Sequence, residues 1–320
     1  MALGEFELIS RYFERPTRRA VLGVGDDCAL LAPAPGMQLA TSVDMLVEGR
    51  HFLSTVPADR LGHKSLTVNL SDLAACGAKP IAFTLALSLP AADEKFLEGF
   101  ARGLFALADR HGCELIGGDT TRGPLTICIG IFGEVPPGMA LLRSGAQAGD
   151  QLWVSGRLGD ARLALEVFRG SLQLPGDQFE QVRPAMELPQ PRVELGIALR
   201  GIASSAIDVS DGLLGDLGHI LHASKVGAVV EADSLPASEV LQLQPTALRH
   251  LCTLTGGDDY ELLFTAPAAA AEAVRTAAAA SGVAVTAIGR IEAASGLRIV
   301  DGAGKSIDER HASFDHFRSG

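Results

Sequence analysis

The chain lacks most of the local signatures that mark familiar phosphate and nucleic-acid binders. It has no Gly-x-x-x-x-Gly-Lys-Ser/Thr segment, which excludes a Walker-type loop. It has no His-Arg-Asp or Asp-Phe-Gly pair, which excludes protein-kinase machinery, and no Gly-x-Ser-x-Gly nucleophile elbow. Basic residues are scarce. Against 38 Asp and Glu stand 27 Lys and Arg, a net charge of −11, so neither nucleic acid nor an anionic membrane is expected as a partner, since both want a basic face. No apolar run is long enough to span a bilayer: the Ala-rich stretch 266–280 is interrupted by Pro267, Glu272 and Arg275 and reads as a surface-packed helix. The first residues show no basic region followed by an apolar core, so no signal peptide is expected. The five cysteines (Cys28, Cys76, Cys113, Cys128, Cys252) include no Cys-x-x-Cys pair. Each lies in an apolar or Ala/Gly-rich context, which predicts buried free thiols rather than disulfides or zinc ligands, and a reducing cytoplasm.

Hydrophobic residues are plentiful, at 47% of 320, enough for a sizeable core, and the length predicts two domains or one large one. Apolar spacing predicts helices over 4–15, 57–76 (Leu61, Leu66, Leu70 and Leu73, stopped by Gly77) and 93–111. Strands are predicted over 20–24, 28–31, 38–43 and 81–89. Around Pro136-Pro137-Gly138 and through 144–150 the composition turns to Pro, Gly and polar residues, which places a domain boundary between 1–145 and 146–320. The second half restarts the alternation: strand 151–155, helices 160–169 and 192–199, strand 205–209 entering a helix over 211–223, and strands near 260–264 and 283–288. Strand–helix alternation in both halves predicts an α/β or α+β fold in each.

Acidic residues gather at element boundaries among small residues. The stretch Ile116-Gly117-Gly118-Asp119-Thr120-Thr121-Arg122-Gly123 reads as a loop between two buried strands. Its two glycines permit positive φ and close backbone approach, and a carboxylate, two hydroxyls and a guanidinium follow. That mix suits a metal-bridged phosphate, and Gly-Gly-Asp is equally ordinary turn chemistry. Four further segments share its character: 23–27, 69–72, 208–211 and 256–261. Asp27, Asp44, Asp72, Asp119, Asp208 and Asp211 supply the oxygen ligands that Mg²⁺ prefers, and several acids in one site would need cations to stay ionised. Asp72 lies opposite the leucine stripe of its helix, where a solvated acid is the ordinary reading and a ligand role the alternative. In Asp208-Val209-Ser210-Asp211-Gly212 a strand feeds a helix; Ser210 or Asp211 reads as its cap, and the helix start offers free N–H groups to an anion. His51 beside Arg50 reads either as structural or as a phosphate contact.

Together, Gly-Val-Gly-Asp-Asp-Cys-Ala (23–29), Ser-Val-Asp-Met-Leu-Val-Glu-Gly-Arg-His-Phe (42–52), Asn-Leu-Ser-Asp-Leu-Ala-Ala-Cys-Gly-Ala-Lys-Pro (69–80), Gly-Gly-Asp-Thr-Thr (117–121), Asp-Val-Ser-Asp-Gly-Leu (208–213) and Gly-Gly-Asp-Asp-Tyr-Glu-Leu (256–262) resemble the thiamine-monophosphate kinase family, in that family's order. The resemblance runs from about residue 4 to the closing Phe314-Asp315-His316-Phe317, within the wider aminoimidazole-ribonucleotide synthetase-like superfamily. It implies two α/β domains. The N-terminal one would bind ATP and Mg²⁺ and pair with a second copy into a barrel-like homodimer interface, with the active site between the domains and near that interface. It also implies ATP-dependent phosphorylation of thiamine monophosphate with several Mg²⁺. Carried over by position, Asp27, Ser42, Val43, Asp44, Asp72, Asp119, Asp208 and Asp211 would be metal ligands. Gly118, Asp119, Arg143 and Ser210 would contact ATP, and His51, Asp258 and Phe314 the thiamine phosphate.

Two departures stand out: Val43 replaces a frequent Thr, so a metal contact there falls to the backbone carbonyl, and Asp258 stands where Glu is common. The acceptor is itself a phosphate and needs no deprotonation at neutral pH. The expected chemistry is therefore direct in-line transfer without a general base, with Asp44, Asp119 and Arg143 assisting through charge and metal. The rival readings are a sister ATP-using enzyme of the superfamily (amidine-forming or selenophosphate-forming) and a non-catalytic nucleotide-binding maturation partner. Against the selenophosphate reading, no Cys precedes Gly25-Asp26-Asp27.

Overall fold

A computed structural model describes residues 4–307, so Phe314 lies outside the described residues. The chain divides into two compact units, Met1–Leu73 with Ala78–Gly138 and Ala74–Gly77 with Met139–Gly320.

The first unit runs α1 (Glu5–Tyr12), β1 (Gln38–Val47), α2 (Ala58–Ala75), β2 (Lys79–Leu89), α3 (Glu94–His111), β3 (Glu114–Arg122) and β4 (Thr126–Val135). Helix α3 has clear local causes. Asp93 caps it by accepting from the N–H groups of Lys95 and Phe96 at 3.0 and 3.3 Å, Gly112 ends it in the left-handed region, and Leu97, Phe100, Leu104 and Leu107 form its buried stripe. The sheet order is β1-β4-β2-β3, antiparallel except for the β2–β3 pair that α3 connects. Directly opposed residues share a face. One face therefore carries Ser42, Asp44 and Leu46 with Ile131, Ile129 and Ile127 and with Phe83, Leu85 and Leu87. The other carries Val43 and Met45 with the small residues Gly130, Cys128, Thr84 and Ala86, and Val43 and Met45 are 65% and 54% exposed.

Helix α2 is buried on all sides rather than on a leucine stripe alone: Ser65, Thr67, Asn69 and Ser71 are as buried as Leu66 and Leu70. Gly62 lets α3 come close, since a Cβ there would lie 2.1 Å from the Phe100 carbonyl oxygen. Two strand expectations fail. Residues 20–24 and 28–31 form only an isolated Leu22–Leu30 bridge, because Gly23-Val24-Gly25 turns the chain before a ladder develops. The expected loop at 116–123 is mostly strand, since β3 continues to Arg122 alongside β2.

The second unit runs β5 (Asp150–Ser155), α4 (Asp160–Phe168), α5 (Gly176–Glu187), α6 (Val193–Ala198), β6 (Ser205–Asp208), α7 (Leu213–Ser224), β7 (Gly227–Glu231), α8 (Glu239–Gln242), α9 (Thr246–Thr255), β8 (Leu262–Pro267), α10 (Ala271–Ser281), β9 (Val285–Glu292) and β10 (Gly296–Val300). Its sheet order is β10-β7-β9-β5-β8-β6. Leu152, Val154, Ile207, Leu263 and Ile288 of the sheet pack with Leu213, Leu217 and Ile220 of α7 in one core. Helix α7 starts two residues later than expected, and Gly212, not Ser210 or Asp211, occupies its cap position. No helix among the described residues is long and apolar enough to cross a membrane.

The cysteines are free, but only two of the five are buried as expected, and Cys76 and Cys128 are half-buried. Cys113 and Cys252 are buried, and burial pushes the Cys252 thiol up to about 12, but Cys28 is exposed on the turn after Gly25-Asp26-Asp27.

Candidate active site

In the first unit, Asp26 and Asp27 sit exposed at the tip of the turn closed by the Leu22–Leu30 bridge. Both ends of that segment are held by one buried carboxylate. Glu134 accepts from the Arg19 guanidinium at 3.2 and 2.9 Å and from the Ala34 N–H at 3.0 Å, and this pairing holds its carboxyl below the usual range. Glu114 in turn accepts from the successive N–H groups of Arg18, Arg19 and Ala20.

On the helix-facing side of the sheet, β1 meets α2. The Ser42 hydroxyl donates to Asp72 Oδ2 at 2.5 Å, and the Asp44 N–H donates to Asn69 Oδ1 at 3.2 Å. Asp72 is therefore a half-buried partner of β1, not a solvated helix acid. The reason is spatial, since the edge strand covers the face that helical periodicity assigned to water. Asn69, unassigned from the sequence, belongs to this cluster. Its signal was an amide one turn before Asp72 on the same face.

Asp119 lies on the other face. The pairing Met45–Cys128–Ala86–Asp119 places its side chain with Met45, while Asp44 shares a rung with Ile129, Leu85 and Gly118. A strand's period of two separates Asp44 from Asp119 within one copy. The glycine before Asp119 is fixed by its surroundings: Gly118 has φ +150° and a Cβ there would lie 1.8 Å from the Leu85 carbonyl oxygen. Val43 points to the exposed face with Met45. His51 closes a tight turn, its Nδ1 accepting from the Val47 N–H at 2.9 Å, which leaves Nε2 as the proton-bearing nitrogen of the neutral ring.

In the second unit two acidic motifs meet. The Asp258 N–H donates to the Ser210 carbonyl at 2.9 Å, the Tyr260 N–H to the Val209 carbonyl at 2.8 Å, and the Val209 N–H to the Glu261 carbonyl at 2.8 Å. Gly257 permits this approach, since a Cβ there would lie 2.4 Å from the Ser210 carbonyl oxygen. Asp258 and Tyr260 both take positive φ, +68° and +52°, and the Tyr260 hydroxyl donates to Asp258 Oδ1 at 2.9 Å. Left-handed backbone at two non-glycine residues is strain held in place by these bonds, a feature that concentrates at functional sites.

Behind them Glu261 is buried and accepts from Arg192 through Nε at 2.6 Å and Nη2 at 2.5 Å, and from the Ser155 hydroxyl at 2.5 Å. Asp259 accepts from the Gly159 N–H at 2.9 Å, and burial drives its carboxyl well above the usual range. The free N–H groups expected at the start of α7 are not free. Ser210 and Asp211 donate theirs to Asp216 Oδ2 at 3.0 and 3.1 Å. Asp216 is a buried acid whose carboxyl is pushed up to about 7 by burial and by the charge of Asp211. Asp208 is buried at the end of β6, and Arg143 is exposed on a segment whose carbonyl accepts from the Ser224 hydroxyl.

No group of three or more His, Cys, Asp or Glu side chains stands ready to hold a metal among the described residues. The polar residues singled out fall in two groups, each within its own unit: Ser42, Asp44, Asn69 and Asp72 in the first, and Asp208, Ser210, Asp211 and Asp258 in the second.

Residues 25–135 match the AIR synthase related protein N-terminal domain, and residues 147–302 match the AIR synthase related protein C-terminal domain. The thiamine-monophosphate kinase of Salmonella typhimurium (strain LT2) is 47% identical to this chain over 326 residues, covering 99% of each. The chain belongs to the thiamine-monophosphate kinase family. Solved structures agree. The thiamine-monophosphate kinase from Stenotrophomonas maltophilia K279a superposes with a TM-score of 0.86 at 46% identity, covering 96% of this chain and 99% of its own. AaThiL complexed with AMPPCP and TMP superposes with a TM-score of 0.77 at 27% identity, covering 89% of each chain. The two matched AIR synthase related domains contain every acid singled out above from Asp26 to Glu261, while Arg143 and Phe314 fall outside both.

Proposed function

We propose that this chain transfers the γ-phosphoryl group of ATP to thiamine monophosphate, giving ADP and thiamine diphosphate. The observation that carries the reading is near-complete coverage by thiamine-monophosphate kinases at 46–47% identity, and a solved relative holds AMPPCP and TMP. The oxygen donors of these groups suit the chemistry this reaction needs. The acceptor is a phosphate, so two anions must meet. Each pair of unit charges about 5 Å apart costs roughly 3 kcal/mol at an effective dielectric near 20, which is prohibitive when several pairs form.

The donor set around β1 and α2 consists of carboxylate, hydroxyl and amide oxygens, which fits Mg²⁺ and not a softer metal. Mg²⁺, when bound, would neutralise the phosphates and polarise the transferring group. Asp27, Ser42, Asp44, Asp72, Asp119, Asp208 and Asp211, with the Val43 carbonyl, are the residues assigned to hold it. Gly118, Arg143 and Ser210 are assigned to ATP, and His51, with a neutral ring donating from Nε2, and Asp258 to the thiamine phosphate. We assign ATP and Mg²⁺ binding and dimerisation to the N-terminal unit. The exposed outer face of its sheet, with Val43, Met45 and small neighbours, suits pairing with a second copy, which supports a homodimer. Free cysteines support a cytoplasmic location.

No side chain is assigned as a general base, because the acceptor oxygen is already anionic. Transfer is therefore direct. Rapid quenching after mixing with γ-labelled ATP should leave label only in ATP and thiamine diphosphate. Label trapped on protein that then chases into thiamine diphosphate would overturn the direct route.

A further inference from the structure

The start of α7 has the form of an anion-binding nest, three successive N–H groups of Ser210, Asp211 and Gly212 turned to one side, yet the nest is already filled. Asp216, four residues into the same helix segment, sends its carboxylate back to accept from Ser210 and Asp211 at 3.0 and 3.1 Å, with the Gly212 N–H also on it. Asp216 is buried, packed in the first turn beside Leu213 and Leu217, and does not reach solvent. An acid on the apolar face of a helix is costly unless it is bound, and here the loop backbone binds it. Two consequences follow from the geometry. These main-chain N–H groups are not available to a phosphate. The loop that carries Asp208 and Asp211, with the Ser210 carbonyl that receives the Asp258 N–H, is braced by this buried carboxylate.

We propose that Asp216 is a positioning residue: its buried carboxylate fixes the Ser210–Gly212 backbone so that Asp208 and Asp211 present oxygens to a divalent cation, and phosphate is held at this loop through that cation rather than through the amides. The cation's role rests on the kinase reading, but the shaping of the loop does not. A single Asp216 oxygen accepts from both Ser210 and Asp211, so an amide oxygen can replace it. Asp216→Asn should keep the loop, whereas Asp216→Ala and the longer Asp216→Glu should lose it.

The test pairs two measurements on the full chain. Hydrogen exchange of the ligand-free protein reads the 208–212 amides, and Mn²⁺ binding with ATP present, followed by electron paramagnetic resonance, reads the cation site. We expect the alanine and glutamate variants to lose amide protection and to weaken Mn²⁺ binding about tenfold or more, with asparagine within about twofold of wild type. Should the alanine variant not fold, the glutamate variant carries the comparison. Unchanged Mn²⁺ affinity in the folded fraction of either variant, or an asparagine variant as weak as alanine, would overturn the proposal. A wild-type protein that makes no thiamine diphosphate would defeat the kinase reading and leave the amide comparison standing.

Discussion

Asp119→Ala is expected to lower kcat by about 10²- to 10³-fold or more while leaving Tm within about 1–2 °C of wild type. The split follows from where the side chain sits. Asp119 is an exposed residue on the outer face of edge strand β3, so its removal costs the fold little. In the proposed chemistry it is both a metal ligand and an ATP contact, so its removal exposes the transferring phosphoryl group to uncompensated charge. Asp44→Ala, on the opposite face of the same sheet, should give a comparable loss of turnover. Turnover within twofold of wild type in Asp119→Ala, measured at saturating ATP and Mg²⁺, would remove Asp119 from the site.

The second large effect is on stability and separates two adjacent glycines. Gly118→Ala is expected to lower Tm by on the order of 10 °C, and Gly117→Ala to leave it nearly unchanged. At Gly118 the backbone has φ +150° and an added Cβ would lie 1.8 Å from the Leu85 carbonyl oxygen and 2.9 Å from the Leu85 nitrogen, so the clash is with backbone that cannot move without breaking the β2–β3 pairing. At Gly117 the nearest heavy atom to an added Cβ is the Thr84 methyl at 4.0 Å, ordinary contact distance. The difference arises from the irregularity that shifts register between Phe83 and Thr84 of β2, where Phe83 faces Leu115 and Thr84 faces Gly117, leaving Ile116 unpaired. Thermal unfolding of the two variants side by side decides it. Equal Tm values would mean that β3 does not run against β2 as described.

The elements that the sequence made legible are those with local causes. Asp93 and Gly112 bracket α3, the apolar run 81–89 became the interior strand β2, and the alternation after residue 150 became the second sheet. What escaped depended on partners far along the chain. Asp72 read as solvated because periodicity within α2 knows nothing of β1, and Ser42 is thirty residues earlier. The strand continuing through Gly117-Gly118-Asp119 read as a loop because glycines usually break strands, and only the approach of Leu85 explains Gly118.

The candidate site was legible as a set of acids, because motif order and residue type survive in one dimension. Its arrangement was not. The sequence alone did not foretell that Asp44 and Asp119 lie on opposite faces of one sheet, that Asp258 bonds to Ser210, or that Asp216 fills the nest the helix start seemed to offer. That last residue had a visible signal, an aspartate between Leu213 and Leu217 on an apolar helix face.

The central claim is the identity of the acceptor. The most direct test incubates the purified full chain with ATP and Mg²⁺, with and without thiamine monophosphate, and follows ADP release alongside chromatography of the thiamine compounds. ADP and thiamine diphosphate should appear in equal amounts, only when thiamine monophosphate is present, and not after chelation of divalent cations. ADP release that ignores thiamine monophosphate, or no thiamine diphosphate under any of these conditions, would contradict the account.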